Sequence, residues 1–216
     1  MQDLKGKNID WSLYAILDKE FLRNRAIGVL AEDVISGGAG IIQVRNKIST
    51  PIEFYENVLE VKEVTQHYRI PLIVNDRLDI ALAAKADGVH LGQKDLPFSH
   101  ARKLLGDQRL LGASVHTVAE FDLAMEGQPD YLGVGTIFQS KTKSDLKTSG
   151  VQFLKIVRTL TNLPLIAIGG ITLENAGKVF ESGADGVAVV SSLLDTDDVR
   201  KRADDFVKRI KHKKIC

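Results

Sequence analysis

The sequence predicts a single-domain (β/α)8 barrel of the TIM type, an α/β fold, on three observations. Short apolar, β-rich runs alternate with longer segments of helical periodicity from about residue 12 to the end of the chain. Eight such runs occur within 216 residues, close to the size of a complete barrel. The runs are continuously apolar rather than alternating, as expected when a parallel sheet is covered outside and filled inside.

The first strand is expected at 13–17 and the second at 41–45, with a helix over 26–36 between them. A long amphipathic segment at 52–67 leads to the third strand at 72–75, and the fourth follows at 88–91. The helix near 99–105 is short, and it is the one unit the pattern leaves open. Strands at 110–115, 131–137, 165–168 and 186–191 complete the set, with helices at 119–125, 152–160, 173–181 and 197–211. Glycines mark returns from helix to strand at Gly37, Gly38 and Gly40, at Gly127 and at Gly183. Pro71 and Pro164 stand just before the third and seventh strands, where a missing N–H does little harm.

No linker or composition shift divides the chain. Residues 1–11 read as an N-terminal extension with Trp11 packed on the barrel, 12–212 as the barrel, and 213–216 as a tail. Lys and Arg number 29 against 28 Asp and Glu, a balance that points to neither nucleic acid nor an anionic membrane. Cys216 is the only cysteine, so no internal disulfide forms, and no apolar run approaches the ~20 residues that span a bilayer. The opening MQDLKGKNID has no apolar core of a signal peptide. A cytoplasmic protein is expected; homo-oligomerisation is left open.

Active sites of such barrels lie at the C-terminal ends of the strands, so the polar residues closing each run carry the functional reading. Strand alternation sends Gln43, Arg45 and Lys47 to one face, a set suited to a multiply charged anion such as a diphosphate. The alternative is that the two cations are solvated or paired with carboxylates. Asp76 and Asp95 follow adjacent strands and suit Mg2+, which takes one or two carboxylates together with phosphate oxygens. As alternatives, Asp76 caps the next helix and Asp95 belongs to a turn before Pro97. Gly169 and Gly170 after the seventh strand, with the Val190–Ser191 backbone after the eighth, match the recurrent phosphate site of these barrels. The polar loop after strand six carries Ser140, Thr142 and Lys143, which suit a second phosphate and a departing anion under a lid. His90 reads as a hydrogen-bonded barrel histidine, and His116 stands nearer the mouth. There is no zinc cluster, serine triad or dinucleotide fingerprint.

The ordered runs QVRNK, NDRLDIALAAKADGVHLGQKDLP, LGASVHT, YLGVGTIFQSKTKSD, IAIGGIT and ADGVAVVSS resemble the signatures of the thiamine-phosphate synthase family, over nearly the whole chain. The resemblance implies a Mg2+-dependent transferase that joins a pyrimidine diphosphate to a thiazole phosphate and releases pyrophosphate. It implies that Gln43, Arg45, Lys47, Asn75, Ser114 and Lys143 hold the pyrimidine diphosphate, with Arg45, Lys47 and Lys143 the catalytic cations. Asp76 and Asp95 would be the metal ligands. Ser140, Thr142, Gly170, Val190 and Ser191 would contact the thiazole phosphate.

Two departures stand out. Asn46 replaces a commonly acidic residue, and the lid reads Gln139-Ser140-Lys141-Thr142-Lys143 rather than proline-rich with Thr-x-Thr-Lys. The related thiazole tautomerases tend to lose the Asn-Asp pair and the Asp of the LGQxD block, both retained here. A tautomerase-like paralogue and a non-catalytic phosphate-binding barrel are the alternatives.

Overall fold

The protein is described here by a computed structural model, which covers residues 9–139 and 148–214. Eight parallel strands close in sequence order into a barrel, β1 pairing with both β2 and β8. The strands are β1 (Leu13–Asp18), β2 (Ile41–Arg45), β3 (Leu72–Asn75), β4 (Gly88–Leu91), β5 (Leu110–Val115), β6 (Tyr131–Gly135), β7 (Leu165–Ile168) and β8 (Gly186–Val189). Outside them lie α1 (Ile27–Ser36), α2 (Pro51–Tyr68), α3 (Leu78–Ala83), α4 (Phe98–Leu105), α5 (Val118–Met125), α6 (Gly150–Leu160), α7 (Ala176–Phe180), a one-turn α8 (Ser191–Leu194) and α9 (Val199–Lys214).

The continuous hydrophobicity of the strands has a two-sided cause. On β1, Leu13, Ala15 and Leu17 face outward into a core shared with helix residues such as Leu30, Val34, Val58 and Phe206. Tyr14 and Ile16 face inward and join Ile41, Ile73, Leu110, Tyr131, Ile166 and Ala188 in a separate cluster inside the barrel. Each residue of either set is withdrawn from water, which stabilises by about 1.5–3 kcal/mol for a fully buried large aliphatic side chain. Trp11 packs against the inner cluster, its ring 5.0 Å from that of Tyr131, and so covers the N-terminal end of the barrel. The opposite end stays available for polar groups.

Local chemistry explains where the helices start. Thr50 caps α2 by accepting from the Glu53 N–H, Glu53 reaches back to the Thr50 N–H, and Pro51 occupies the first helical position. The short fourth helix is a full unit, and its buried Phe98, Ala101 and Leu105 form one face. Several boundaries differ from the sequence reading, and three of them have a local cause. β6 stops at Gly135 because the Thr136 carbonyl turns away to accept from the Ser149 N–H at 2.8 Å. β8 stops at Val189, and Ser191 opens α8 instead of extending the strand. α7 starts only at Ala176, since Asn175 Oδ1 accepts from the Thr172 N–H at 2.8 Å and holds 172–175 as a closed turn.

Candidate active site

Chain alternation on β1 and β2 carries Asp18 and Arg45 to the mouth, directly opposite each other in the parallel register. Their side chains form an ion pair in which Asp18 is almost wholly buried. The other Asp18 oxygen accepts from the Glu20 N–H at 3.2 Å, which fixes the carboxylate from behind. Arg45 is therefore a paired cation, as the simpler sequence alternative allowed, yet its partner is a barrel residue that aims it at the mouth.

One step further out, Lys47 Nζ lies 3.2 Å from Asp76 Oδ2. Asp76 is not a helix cap. The capping position of α3 belongs to Arg77, without any side-chain capping bond, and the Arg77 guanidinium turns to Asp79 at 2.8 Å. Asp76 is held instead at φ 62°, with its N–H donating to the His90 carbonyl at 2.9 Å. A left-handed backbone at a residue with a Cβ costs roughly 1–2 kcal/mol, and the reward is a carboxylate aimed across the β3–β4 mouth.

Asp95 does close a turn, as its Oδ2 accepts from the Gly92 N–H at 2.7 Å. Its carboxyl is nonetheless pushed above the usual carboxylate range. Burial is the main cause, the Gly92 bond works the other way, and the charge and hydrogen bond of Asp76 push it further up against the pull of Lys47. Two carboxylates are thus crowded together beside a cation, as a metal pair requires. Asn75 sits at the end of β3, half-buried and in register with His90. Asn46, on the far side of Arg45, accepts from the Ile48 and Ser49 N–H groups at 3.2 and 3.0 Å, so its departure from an acidic residue concerns the loop rather than the mouth.

Beneath the mouth runs a line of polar side chains through the barrel interior. Gln43 is buried, and its amide nitrogen donates to Tyr14 Oη at 2.8 Å. Tyr14 Oη lies 2.7 Å from Tyr131 Oη, which lies 3.1 Å from His90 Nδ1. His90 Nε2 lies 2.8 Å from Ser114 Oγ, at the end of β5. Burial pushes the His90 imidazole down to about 4, against a weaker upward pull from Asp76, so the ring is neutral near pH 7. Burial likewise pushes both tyrosines well above their usual range. Gln93 clamps the backbone of Ser114, donating to its carbonyl at 2.8 Å.

On the opposite side of the mouth, Gly169 and Gly170 take φ values of 97° and 63°, and a Cβ on Gly170 would sit 2.5 Å from the Phe138 carbonyl oxygen. Only glycine lets the chain turn there at such close quarters. Val190 and the first residue of α8, Ser191, follow the neighbouring strand β8. His116 is turned outward to Glu120 at 2.9 Å. Ser140, Thr142 and Lys143 lie outside the described residues.

The structure thus brings Arg45, Lys47, Asn75, Asp76, Asp95 and Ser114 to the mouth formed by β2 to β5, with Gln43 in the layer below. Asp18, Tyr14 and Tyr131 were missing from the sequence reading. Asp18 carried a usable signal, since it is the polar residue closing the first run; the two tyrosines, placed within apolar runs, carried none.

The thiamine monophosphate synthase family model matches residues 13–193. The thiamine-phosphate synthase of Clostridium acetobutylicum is 42% identical over 197 residues, covering 91% of this chain and 93% of that protein. That of Clostridium novyi is 45% identical over 194 residues, covering 89% and 95%. Among solved structures, a thiamine phosphate pyrophosphorylase from Pyrococcus furiosus superposes with a TM-score of 0.86 at 33% identity, covering 95% of this chain and 98% of that one. The native KDPGal structure, at 16% identity and a TM-score of 0.73 over 94% of this chain and 96% of that one, shares the fold alone. With strands β1 to β8 and the whole mouth inside the matched span, the chain belongs to the thiamine monophosphate synthase family.

Proposed function

We propose that the protein condenses 4-amino-2-methyl-5-hydroxymethylpyrimidine diphosphate with thiazole phosphate, giving thiamine phosphate and pyrophosphate in the cytoplasm. The observation that carries this reading is the gathering of Asp76, Asp95 and Lys47 beside Arg45 on one side of the barrel mouth. A polyanion bound there meets two cations, and the two crowded carboxylates call for a further positive charge.

The donor set fits a hard divalent cation, because the Asp76 carboxylate makes ionisation of Asp95 costlier unless a positive charge joins them, and both offer only oxygen. Asp76 and Asp95 would hold Mg2+, which when bound supplies charge to the diphosphate oxygens. Arg45 and Lys47 bind those oxygens and stabilise the negative charge that grows as the C–O bond to the pyrimidine's methylene carbon breaks. Asn75 and Ser114 add hydrogen bonds, and Gln43 lies below them as the floor. Lys143, which follows β6 in the sequence, neutralises the departing pyrophosphate. Gly170, Val190 and Ser191, with Ser140 and Thr142, hold the thiazole phosphate so that the thiazole nitrogen faces the methylene carbon; orientation then supplies much of the rate. No protein nucleophile takes part.

Purified protein given both substrates and Mg2+ should form thiamine phosphate and pyrophosphate in equal amounts, and a chelator should stop the reaction. Release of no pyrophosphate, or turnover indifferent to chelation, would refute the reading. Isomerisation of the thiazole alone would assign the protein to the tautomerase branch.

A further inference from the structure

We infer that the buried side chains Gln43, Tyr14, Tyr131, His90 and Ser114 form a one-way hydrogen-bonded chain that makes the Ser114 hydroxyl a donor toward the mouth. This deepens the proposed function, since it rests on Ser114 meeting the diphosphate.

Direction follows from counting hydrogens. The Gln43 nitrogen can only donate, and it donates to Tyr14 Oη. Tyr14 is buried, and among the described residues its hydroxyl hydrogen has one acceptor left, Tyr131 Oη. Tyr131 therefore sends its own hydrogen to the next atom along, His90 Nδ1. A neutral imidazole that accepts at Nδ1 carries its proton on Nε2, and that N–H donates to Ser114 Oγ. Ser114 has then received its hydrogen bond from within, and its own hydrogen is free to point outward. Phosphate oxygens only accept, so the orientation is the one an anion site needs. Run in reverse, the chain would spend the Ser114 hydrogen on His90 and turn lone pairs toward the anion.

The barrel makes room for this chain at a definite place. A Cβ on Gly112 would lie 2.3 Å from Tyr131 Oη and 2.4 Å from His90 Nδ1, and one on Gly133 would lie 3.0 Å from the His90 ring. Both glycines leave the space that the imidazole and phenol fill. Tyr14, Tyr131 and His90 are positioning residues, because they act through Ser114 and not on substrate.

The test is the tautomer. Protein labelled with 15N-histidine, with the His90 signal identified by its loss in His90→Gln, should show at neutral pH a protonated Nε2 and an unprotonated Nδ1. Tyr131→Phe should lose that pure tautomer and raise KM for the pyrimidine diphosphate about tenfold, the scale of one hydrogen bond to a charged group. A proton on Nδ1 in the unaltered protein, or a Tyr131→Phe variant unchanged in both tautomer and KM, would overturn the chain. The substrate reading fails separately: Ser114→Ala should raise KM by a similar factor, and an unchanged KM with the expected tautomer would mean that Ser114 does not meet the diphosphate.

Discussion

Asp18 and Arg45 face each other across the β1–β2 register as a largely buried ion pair, with Asp18 2% exposed and the Arg45 side chain 18% exposed. Removing one member of such a pair leaves the other desolvated and unsatisfied, which typically costs about 3–5 kcal/mol. Asp18→Asn keeps the shape and the acceptor for Glu20 but discards the charge. The variant adds net positive charge to an anion site, so charge alone predicts tighter binding. Orientation predicts the opposite, because the guanidinium loses the carboxylate that aims it. We expect a lower melting temperature and about tenfold weaker binding of pyrophosphate with Mg2+ by calorimetry. Tighter binding would show that Asp18 is a charge partner and nothing more.

The crowded pair of Asp76 and Asp95 makes a second prediction. Asp76→Ala should lower kcat by at least about a hundredfold, the scale of losing a group that stabilises developing charge. The fold should survive, since Asp76 caps no helix and contributes no core surface. Lys143→Ala should show a comparable loss with the barrel still folded. Circular dichroism alongside thiamine phosphate production checks both, and near-normal turnover in both variants would count against the assignment.

How much of this was legible in the sequence depended on the kind of signal. The eight strands were visible because each is buried on both faces and reads as an unbroken apolar run; β2, β3, β4, β5 and β7 begin and end where the pattern put them. The ends of β6 and β8 were not visible, because Thr136 and Ser191 leave the ladder through bonds to residues distant or helical. At the site, Asp76 and Asp95 stood out as polar residues after apolar runs. Whether Asp76 was a cap or a mouth carboxylate could not be read, because a cap and a left-handed turn precede a helix equally well. Tyr14 and Tyr131 were hidden for a physical reason: inside a barrel, a tyrosine fills volume like any other large side chain, and only its hydroxyl's partners mark it as part of a polar chain.

His90 gives a pH dependence with a definite sign. Its folded value of about 4 lies below the ordinary 6.5, so between those values the unfolded state binds more protons than the folded one. Stability from this group is complete above pH 6.5 and is lost as pH falls toward 4, by roughly 3 kcal/mol in total. Asp95, raised in the fold, contributes with the opposite slope, so the comparison must isolate the imidazole. The unfolding free energies of the natural protein and of His90→Gln, followed by urea titration from pH 7 to 4, should converge as the pH drops. Parallel curves would mean that His90 is not held neutral.

Gly112 offers the sharpest packing test. A methyl group there would lie 2.2 Å from the Tyr131 ring and 2.4 Å from His90 Nδ1, and both rings are locked by partners on other strands. Tyr131 is pinned further by Trp11 at 5.0 Å and Tyr14 at 5.8 Å, so it cannot swing aside without disturbing the barrel floor. Overpacking a filled core usually costs about 1–3 kcal/mol, and here the displaced groups are also hydrogen-bonded. Gly112→Ala should therefore lower the melting temperature by several degrees and raise KM for the pyrimidine diphosphate, because the shift passes through His90 to Ser114. Gly106→Ala controls for the loss of a glycine: nothing lies within 4 Å of its Cβ, and its φ of 72° predicts backbone strain without any effect on KM. If Gly112→Ala were as stable as the natural protein, the interior of the barrel would have to be looser than the close contacts around Tyr131 require.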